Sequence, residues 1–231
     1  MILASHGIIA SSGGMNPLTV GLVSSYNANN TVNDSFGTYN ASAIGGLTYT
    51  TGKFGDAFQF NGTNSYISIP NTTSHLDFTS DFSISLWVNY NTTAASYEML
   101  FNNYKAGGTH GSGFLLYTDS TSLRFDLLNQ STINSYSNNF NPTINTWYNI
   151  VVTRKRSTES KIYIDGVLQS GTYQFSNPTV DQTYQGGQIY NIGSYNNNSL
   201  LSNIRMDEIN IYNRVLTSTE ITELQTKYYP F

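Results

Sequence analysis

Apolar and polar residues alternate along much of this chain. From Asp81 to Asn89, Phe82, Ile84, Leu86 and Val88 occupy every second position, with Ser83, Ser85 and Asn89 among the residues between them. A period of two marks a strand with one buried face. Upstream, residues 52–70 read GKFGDAFQFNGTNSYISIP, two shorter runs around Asn61-Gly62-Thr63-Asn64. Phe58 and Phe60 alternate with Ala57 and Gln59, and Tyr66, Ile67 and Ile69 follow the turn. Asn and Gly accept the positive φ of tight turns, so this stretch predicts a β-hairpin. Further strands are expected at residues 22–26, 47–51, 97–102, 114–119, 123–129, 147–154, 188–194 and 204–213. A second hairpin is expected across Asp165-Gly166, joining residues 161–165 to 167–169. Residues 130–146 and 170–187 read as polar loops, the first with at most an edge strand. Near the end, Thr217-Ser218-Thr219-Glu220 forms a capping box before Ile221 and Leu224, which predicts two to three helical turns from Ser218.

Composition supports an all-β reading. Tyr (18) and Phe (12) supply much of the apolar bulk of the 231 residues, and only 10% are charged. Tyr, Phe, Thr and Ile favour strands, while the abundant Asn and Gly favour turns. The net charge of −4 argues against a nucleic-acid partner, which would need clustered Lys and Arg. With no Cys, the chain has neither disulfide nor thiolate chemistry. No apolar run approaches the ~20 residues of a membrane span, so no membrane insertion is expected. Residues 1–16 are apolar, small and punctuated by Gly and Ser, an arm or tail ahead of a single domain at 17–231. They lack a basic n-region, and His6 interrupts the apolar stretch, so they do not read as a signal peptide.

An ordered set of segments resembles a known family. The segments are NDSFG at residues 33–37, YTTGKFGDAFQFNG at 49–62, DFSISLWV at 81–88, WYNIVVT at 147–153, IYIDGV at 162–167 and MDEINIYNRVL at 206–216. Together they resemble the laminin G-like domains of the concanavalin A-like lectin and glucanase superfamily. The resemblance implies a jelly roll of two antiparallel sheets with one short C-terminal helix. It assigns Trp87 and Trp147 to the core rather than to sugar stacking. It also implies a structural Ca²⁺ held by Asp207 together with the loop around Asp34, where carbonyl oxygens would supplement few carboxylates.

Catalytic patterns are sparse. Glycosidases of this fold use closely spaced acids on one strand, and retaining enzymes need carboxyls ~5 Å apart. Glu98, Glu159, Glu208, Glu220 and Glu223 form no such alternation, and adjacent Asp207 and Glu208 should point to opposite faces of a regular strand. His6, His75 and His110 stand apart in sequence and make no metal or triad spacing. A glycoside hydrolase is therefore the last of the alternatives, and the resemblance implies non-enzymatic carbohydrate binding or surface adhesion. Loop aromatics would carry it: Tyr104, His110, Tyr136 and Tyr195 sit in expected loops. The opening MILASHGIIASSGG also resembles the starts of structural proteins of tailed phages. That resemblance implies a virion protein of the capsid-decoration or head-fibre type. Residues 1–16 would bind other virion proteins or further copies of the chain, and the domain would face host-surface glycans. The alternative is a secreted or cell-surface carbohydrate-binding module of a bacterium.

Overall fold

The computed structural model describes residues 16–70, 78–92, 97–174, 181–182, 187–196 and 199–226. The expected arm at 1–16 lies outside them except for Asn16, as does His75. The strands in chain order are β1 (Leu22–Tyr26), β2 (Ser42–Ile44), β3 (Thr48–Thr51), β4 (Asp56–Gln59), β5 (Tyr66–Pro70), β6 (Phe82–Tyr90), β7 (Glu98–Asn102) and β8 (Ser112–Thr118). Then come β9 (Ser122–Asn129), β10 (Ile133–Asn139), β11 (Trp147–Lys155), β12 (Glu159–Ile164), β13 (Val167–Leu168), β14 (Thr172–Gln174), β15 (Ile189–Ile192), β16 (Ile204–Tyr212) and helix α1 (Ser218–Glu223). They build two antiparallel sheets. The first runs β13-β12-β11-β6-β16-β4-β3, with β1 also on β16, and the second runs β14-β10-β9-β8-β7-β15-β5-β2. This is the expected jelly-roll sandwich.

The alternation in β6 works as its sequence dictates. Phe82, Ile84, Leu86 and Val88 enter the core between the sheets, where they meet Phe101, Phe114, Phe125 and Tyr190 from the second sheet. Rings meet edge to face there, Phe78 on Phe82 at 4.6 Å and Phe101 on Phe114 at 5.3 Å. Each fully buried side chain of this size contributes about 1.5–3 kcal/mol of transfer free energy. A smaller cluster lies on the other face of the first sheet. Leu18, Leu22, Val151, Tyr212, Leu216, Ile221 and Leu224 pack α1 and the turn at Pro17–Thr19 against β11 and β16. The capping box forms as expected on Thr217 and Glu220, but α1 is only six residues long.

The 52–70 stretch is not a hairpin. β4 pairs with β3 and β16 in the first sheet, and β5 pairs with β15 and β2 in the second. Asn61 Oδ1 accepts the backbone N–H groups of Thr63, Asn64 and Ser65 at 2.9, 3.0 and 3.2 Å. The N–H of Gly62 (φ +69°) donates to Ser202 O at 2.9 Å. The turn thus spends its donors on Asn61 and on the 202 segment, not on a ladder between its two arms. Phe58 and Phe60 on one arm, and Ile67 and Ile69 on the other, enter one core from opposite sheets. Alternation and an Asn-Gly turn are compatible with either outcome. By contrast, Asp165-Gly166 does close a hairpin, with both residues at positive φ and Ile164 opposite Val167.

Two other expectations are corrected. Residues 133–139, expected within a loop, form β10, which carries ladders to β9 and β14 on its two sides. Trp87 and Trp147 face away from the inter-sheet core, because Leu86, Val88, Tyr148 and Ile150 take the inward positions of their strands. Trp87 is nonetheless buried, with Lys53 Nζ 4.3 Å above its ring and Phe54 edge-on at 6.0 Å. Trp147 is half-buried.

Candidate functional site

Inward positions of the second sheet are apolar and its outward positions largely polar. One outward row crosses the sheet from Ser135 through Asp126, Leu115, Asn102 and Asn191 to Ser68. Two loops rise beside this row. The first, 103–111, is closed by reciprocal backbone bonds between Lys105 and Ser112 at 3.0 and 2.9 Å. The second follows β15 and is closed by Tyr195 and Ser199 in the same way, at 2.7 and 3.1 Å. Asn102 Nδ2 donates to Ser194 O at 2.6 Å and so ties the second loop to β7.

This arrangement brings two of the expected residues together. The rings of Tyr104 and Tyr195 lie 4.8 Å apart at 31°, a tilted stack. Gly111 permits it: its φ is +77°, and a side chain there would overlap the Tyr104 ring. Beside the stack is a pocket of about 270 Å³ lined by Tyr104, Lys105, Ala106, Gly187, Ile189, Asn191 and Asn196. Asn191 is 1% exposed, and its Oδ1 has no hydrogen-bond partner. A buried amide oxygen without a donor is costly, and a ligand hydroxyl in the pocket would supply one. Burial, then the neighbouring Tyr104 hydroxyl, raise the pKa of the Tyr195 hydroxyl well above its ordinary value, so it remains a neutral donor. The pocket therefore offers an aromatic edge, an aliphatic wall at Ile189 and amide groups. Among the described residues no carboxylate lines it.

The other two expected contacts lie elsewhere. His110 is exposed on the same loop as Tyr104 but lines a separate pocket with Ser131, Thr132 and Ile133. Tyr136 belongs to β10, not to a loop, and is 8% exposed. Its ring packs on Tyr173 at 4.8 Å, and its hydroxyl accepts the N–H of Gly171 at 3.1 Å and donates to Gln169 O at 3.4 Å. That hydroxyl pins the segment leading into β14. Sequence reasoning missed Asn191, although its place between Tyr190 and Ile192 in an alternating run marked it as outward-facing.

The residues expected to hold Ca²⁺ suit the ion poorly. Asp34 Oδ1 accepts backbone N–H groups from Ser25, Phe36 and Gly37 at 2.9, 3.1 and 2.8 Å, and its Oδ2 accepts from Tyr39 at 3.2 Å. The carboxylate organises its own loop, and its lone pairs point at donors rather than toward a cation site. Asp207 is fully buried and accepts from Phe54 N at 2.9 Å and Glu208 N at 2.8 Å. Among the described residues no three His, Asp or Glu cluster in a way that would hold a metal.

The Asp207-Glu208 step breaks the regular strand. The ladder of β16 with β6 slips between Asp207 and Asn210, and Glu208 has φ +50°. Both carboxyls are buried at this bulge. Burial raises Asp207 to about 7 and Glu208 to about 8. Glu208 Oε1 has no partner.

Fold and sequence together define the class. The chain belongs to the concanavalin A-like lectin/glucanases superfamily, whose laminin G-type model matches residues 61–222. It is 27% identical over 164 residues to a botulinum-like toxin, eBoNT/J, of Enterococcus sp. (strain 3G1_DIV0629). That alignment covers 67% of this chain and 12% of the toxin, so the chain spans a small part of the relative it matches. Among solved structures it is similar to the binding domain of Paraclostridial Mosquitocidal Protein 1, with a TM-score of 0.69 and 20% identity over 89% of this chain and 52% of that one. It is also similar to domain 4 of AbnA, a GH43 extracellular arabinanase of Geobacillus stearothermophilus, in complex with arabinotriose. There the TM-score is 0.67 and the identity 21%, over 89% of this chain and 98% of that one.

Proposed function

We propose that this chain is a non-catalytic carbohydrate-binding domain, secreted or displayed on a surface, that takes a sugar at the Tyr104–Tyr195 pocket. One observation carries the reading: Tyr104, stacked on Tyr195, lines a pocket together with Asn191, whose buried Oδ1 has no protein donor. A pyranose or furanose ring presents an apolar face and a rim of hydroxyls. The tyrosine edge and Ile189 match the face, and Asn191, Asn196 and Lys105 match the rim. A pocket without a carboxylate suits retention of the ligand, because glycoside hydrolysis by the two-acid route needs a carboxyl on each side of the bond. The likeness to an arabinanase domain bound to arabinotriose and to toxin binding domains supports the same reading, with a host-surface glycan as the partner in a toxin-like setting.

The virion role expected from the opening segment has no support from these likenesses, and that segment lies outside the described residues apart from Asn16.

The test is calorimetry of the intact chain against a panel of neutral oligosaccharides that includes arabinotriose. Saturable binding by at least one member is expected. Tyr104→Ala should weaken it tenfold or more while the melting temperature stays close to that of the parent. No binding by any member at millimolar concentration, or equal binding by the variant, would overturn the proposal.

A further inference from the structure

The outer face of the first sheet carries a row that crosses four strands. Trp147 on β11 stands opposite Asn89 on β6, Asn89 opposite Arg205 on β16, and Arg205 opposite Gln59 on β4. Their sequence neighbours Tyr148, Val88, Met206 and Phe58 pack in the core, so the row points outward. With strands ~4.8 Å apart, three steps span ~14 Å, the length of a short oligosaccharide. Other parts of this face are covered. Lys53 and Phe54 lie on Trp87, and α1 packs over Tyr212. Trp147, Arg205 and Gln59 are half-buried, and Asn145 beside them is exposed.

Arg205 differs from the other arginines. Arg124 meets Asp119 at 2.6 Å, Arg154 and Arg156 meet Asp181 at 2.6 and 3.4 Å, and Arg214 meets Glu220 at 2.6 Å. Among the described residues Arg205 has no carboxylate. Its Nη2 donates to two neutral amide oxygens, Asn89 Oδ1 at 2.8 Å and Asn145 Oδ1 at 2.9 Å. Its Nε is buried without a partner. The guanidinium carbon lies 5.9 Å from the centre of the Trp147 ring. The amides hold the planar fork in place without neutralising it. In a chain of net charge −4, Arg205 is thus an unneutralised guanidinium beside a half-buried indole. Its Nη1 hydrogens remain for a charge-assisted bond to a carboxylate, and an indole face suits the apolar side of a sugar ring.

We propose that this row is a second binding site, for the uronic acid residues of an acidic glycan. The carboxylate docks on Nη1 of Arg205, the guanidinium nitrogen that neither the amides nor burial takes up, the sugar ring lies against Trp147, and ring hydroxyls reach the amides of Gln59 and Asn145. The site is on the opposite sheet from the Tyr104 pocket and does not depend on it. Two such sites on opposite faces allow one domain to bridge two glycan segments.

The test uses the unaltered chain labelled with ¹⁵N, titrated with trigalacturonate and with its fully methyl-esterified counterpart. The acid should shift the Trp147 indole signal saturably while the covered Trp87 stays fixed. The ester, which keeps the ring but not the charge, should bind at least tenfold more weakly. Arg205→Lys should weaken acid binding several-fold and Arg205→Met tenfold or more, whereas Tyr104→Ala should leave it unchanged. Equal affinity for acid and ester would overturn the proposal, as would shifts confined to the Tyr104 pocket or no saturable shift of Trp147 at millimolar acid. The ester comparison stands even if Arg205→Met fails to fold. Sensitivity to Tyr104→Ala reports on the Tyr104 pocket, and the acid–ester difference at Trp147 reports on this site, so the two readings fail separately.

Discussion

Two tyrosine pairs in this domain have the same ring separation of 4.8 Å and opposite uses of it. Tyr136 and Tyr173 sit on paired strands, residue opposite residue, and the Tyr136 hydroxyl is bonded on both sides to the 169–171 backbone. Tyr104 and Tyr195 come from two loops, and Tyr104 lines a pocket beside their stack. The difference lies in where the hydroxyls and ring edges point. A tyrosine whose hydroxyl closes a backbone segment is part of the frame. A tyrosine pair beside an amide oxygen without a donor is part of a surface awaiting a ligand. Stacking distance alone separates neither role.

The largest effect should come from breaking the first pair. Tyr136→Ala removes a buried ring and strips two backbone groups of their partner, and should cost about 3–5 kcal/mol of unfolding free energy. Urea denaturation measures this. Tyr104→Ala in the same assay should cost less than about 1 kcal/mol, since the ring is only partly buried and its stack on Tyr195 lies beside a pocket. Equal losses at the two sites would erase the distinction.

Gly111→Ala comes next, and it tests the open pair through its support. Residue 111 has φ +77°, and a methyl group there would overlap Tyr104. The left-handed backbone alone costs a non-glycine residue roughly 1–2 kcal/mol. The variant should lose about that much stability and should also lose sugar affinity, because Tyr104 must move off Tyr195. Retained affinity would show that the stack is not what the ligand recognises.

These contrasts explain what could be read from the sequence. Period-two alternation located β6, β11 and β16 because an inward and an outward environment act on every second residue. It could not say which sheet a strand joins. That is why 52–70 read as a hairpin, although its arms lie in opposite sheets and Asn61 consumes the donors of the turn. Trp147 was read as core because large aromatics are usually buried, and only the register placed it beside Arg205. Tyr104 and Tyr195 were legible as loop residues, but not as a pair: 91 residues separate them, and the bond from Asn102 to Ser194 is a tertiary event. Tyr136 failed because a run rich in Asn and Ser resembles a loop, even where ladders on both sides hold it as a strand.

A smaller effect isolates the hydroxyl of the closed pair. Tyr136→Phe keeps the ring on Tyr173 and leaves the Gly171 N–H without its acceptor. The loss should be about 1 kcal/mol, the net worth of the Gly171 bond, with little added by the longer 3.4 Å bond to Gln169 O that goes with it. Sugar affinity at the distant pocket should not change. A drop in affinity would mean that the 169–171 segment communicates with the 103–111 loop.

The smallest effect separates frame from pocket by pH. Arg214 hydrogen-bonds the Glu220 carboxylate at 2.6 and 2.8 Å, and Thr217 adds its backbone N–H, so Glu220 is held down to about 2. A carboxyl depressed in the folded state contributes stability above its unfolded value of 4.5, and that contribution is lost as pH falls through about 2. Glu220→Gln should therefore lower stability at pH 7 by no more than about 1 kcal/mol, as for other partly exposed ion pairs. The gap between variant and parent should begin to close below pH 4.5 and vanish near pH 2. The Tyr104 pocket is lined by neither a carboxylate nor a histidine, so its affinity for a neutral sugar should stay flat between pH 7 and pH 5. An affinity that instead changes between pH 7 and pH 5 would mean that a titrating group outside the lining residues reaches the ligand. It would also redraw the boundary of that pocket.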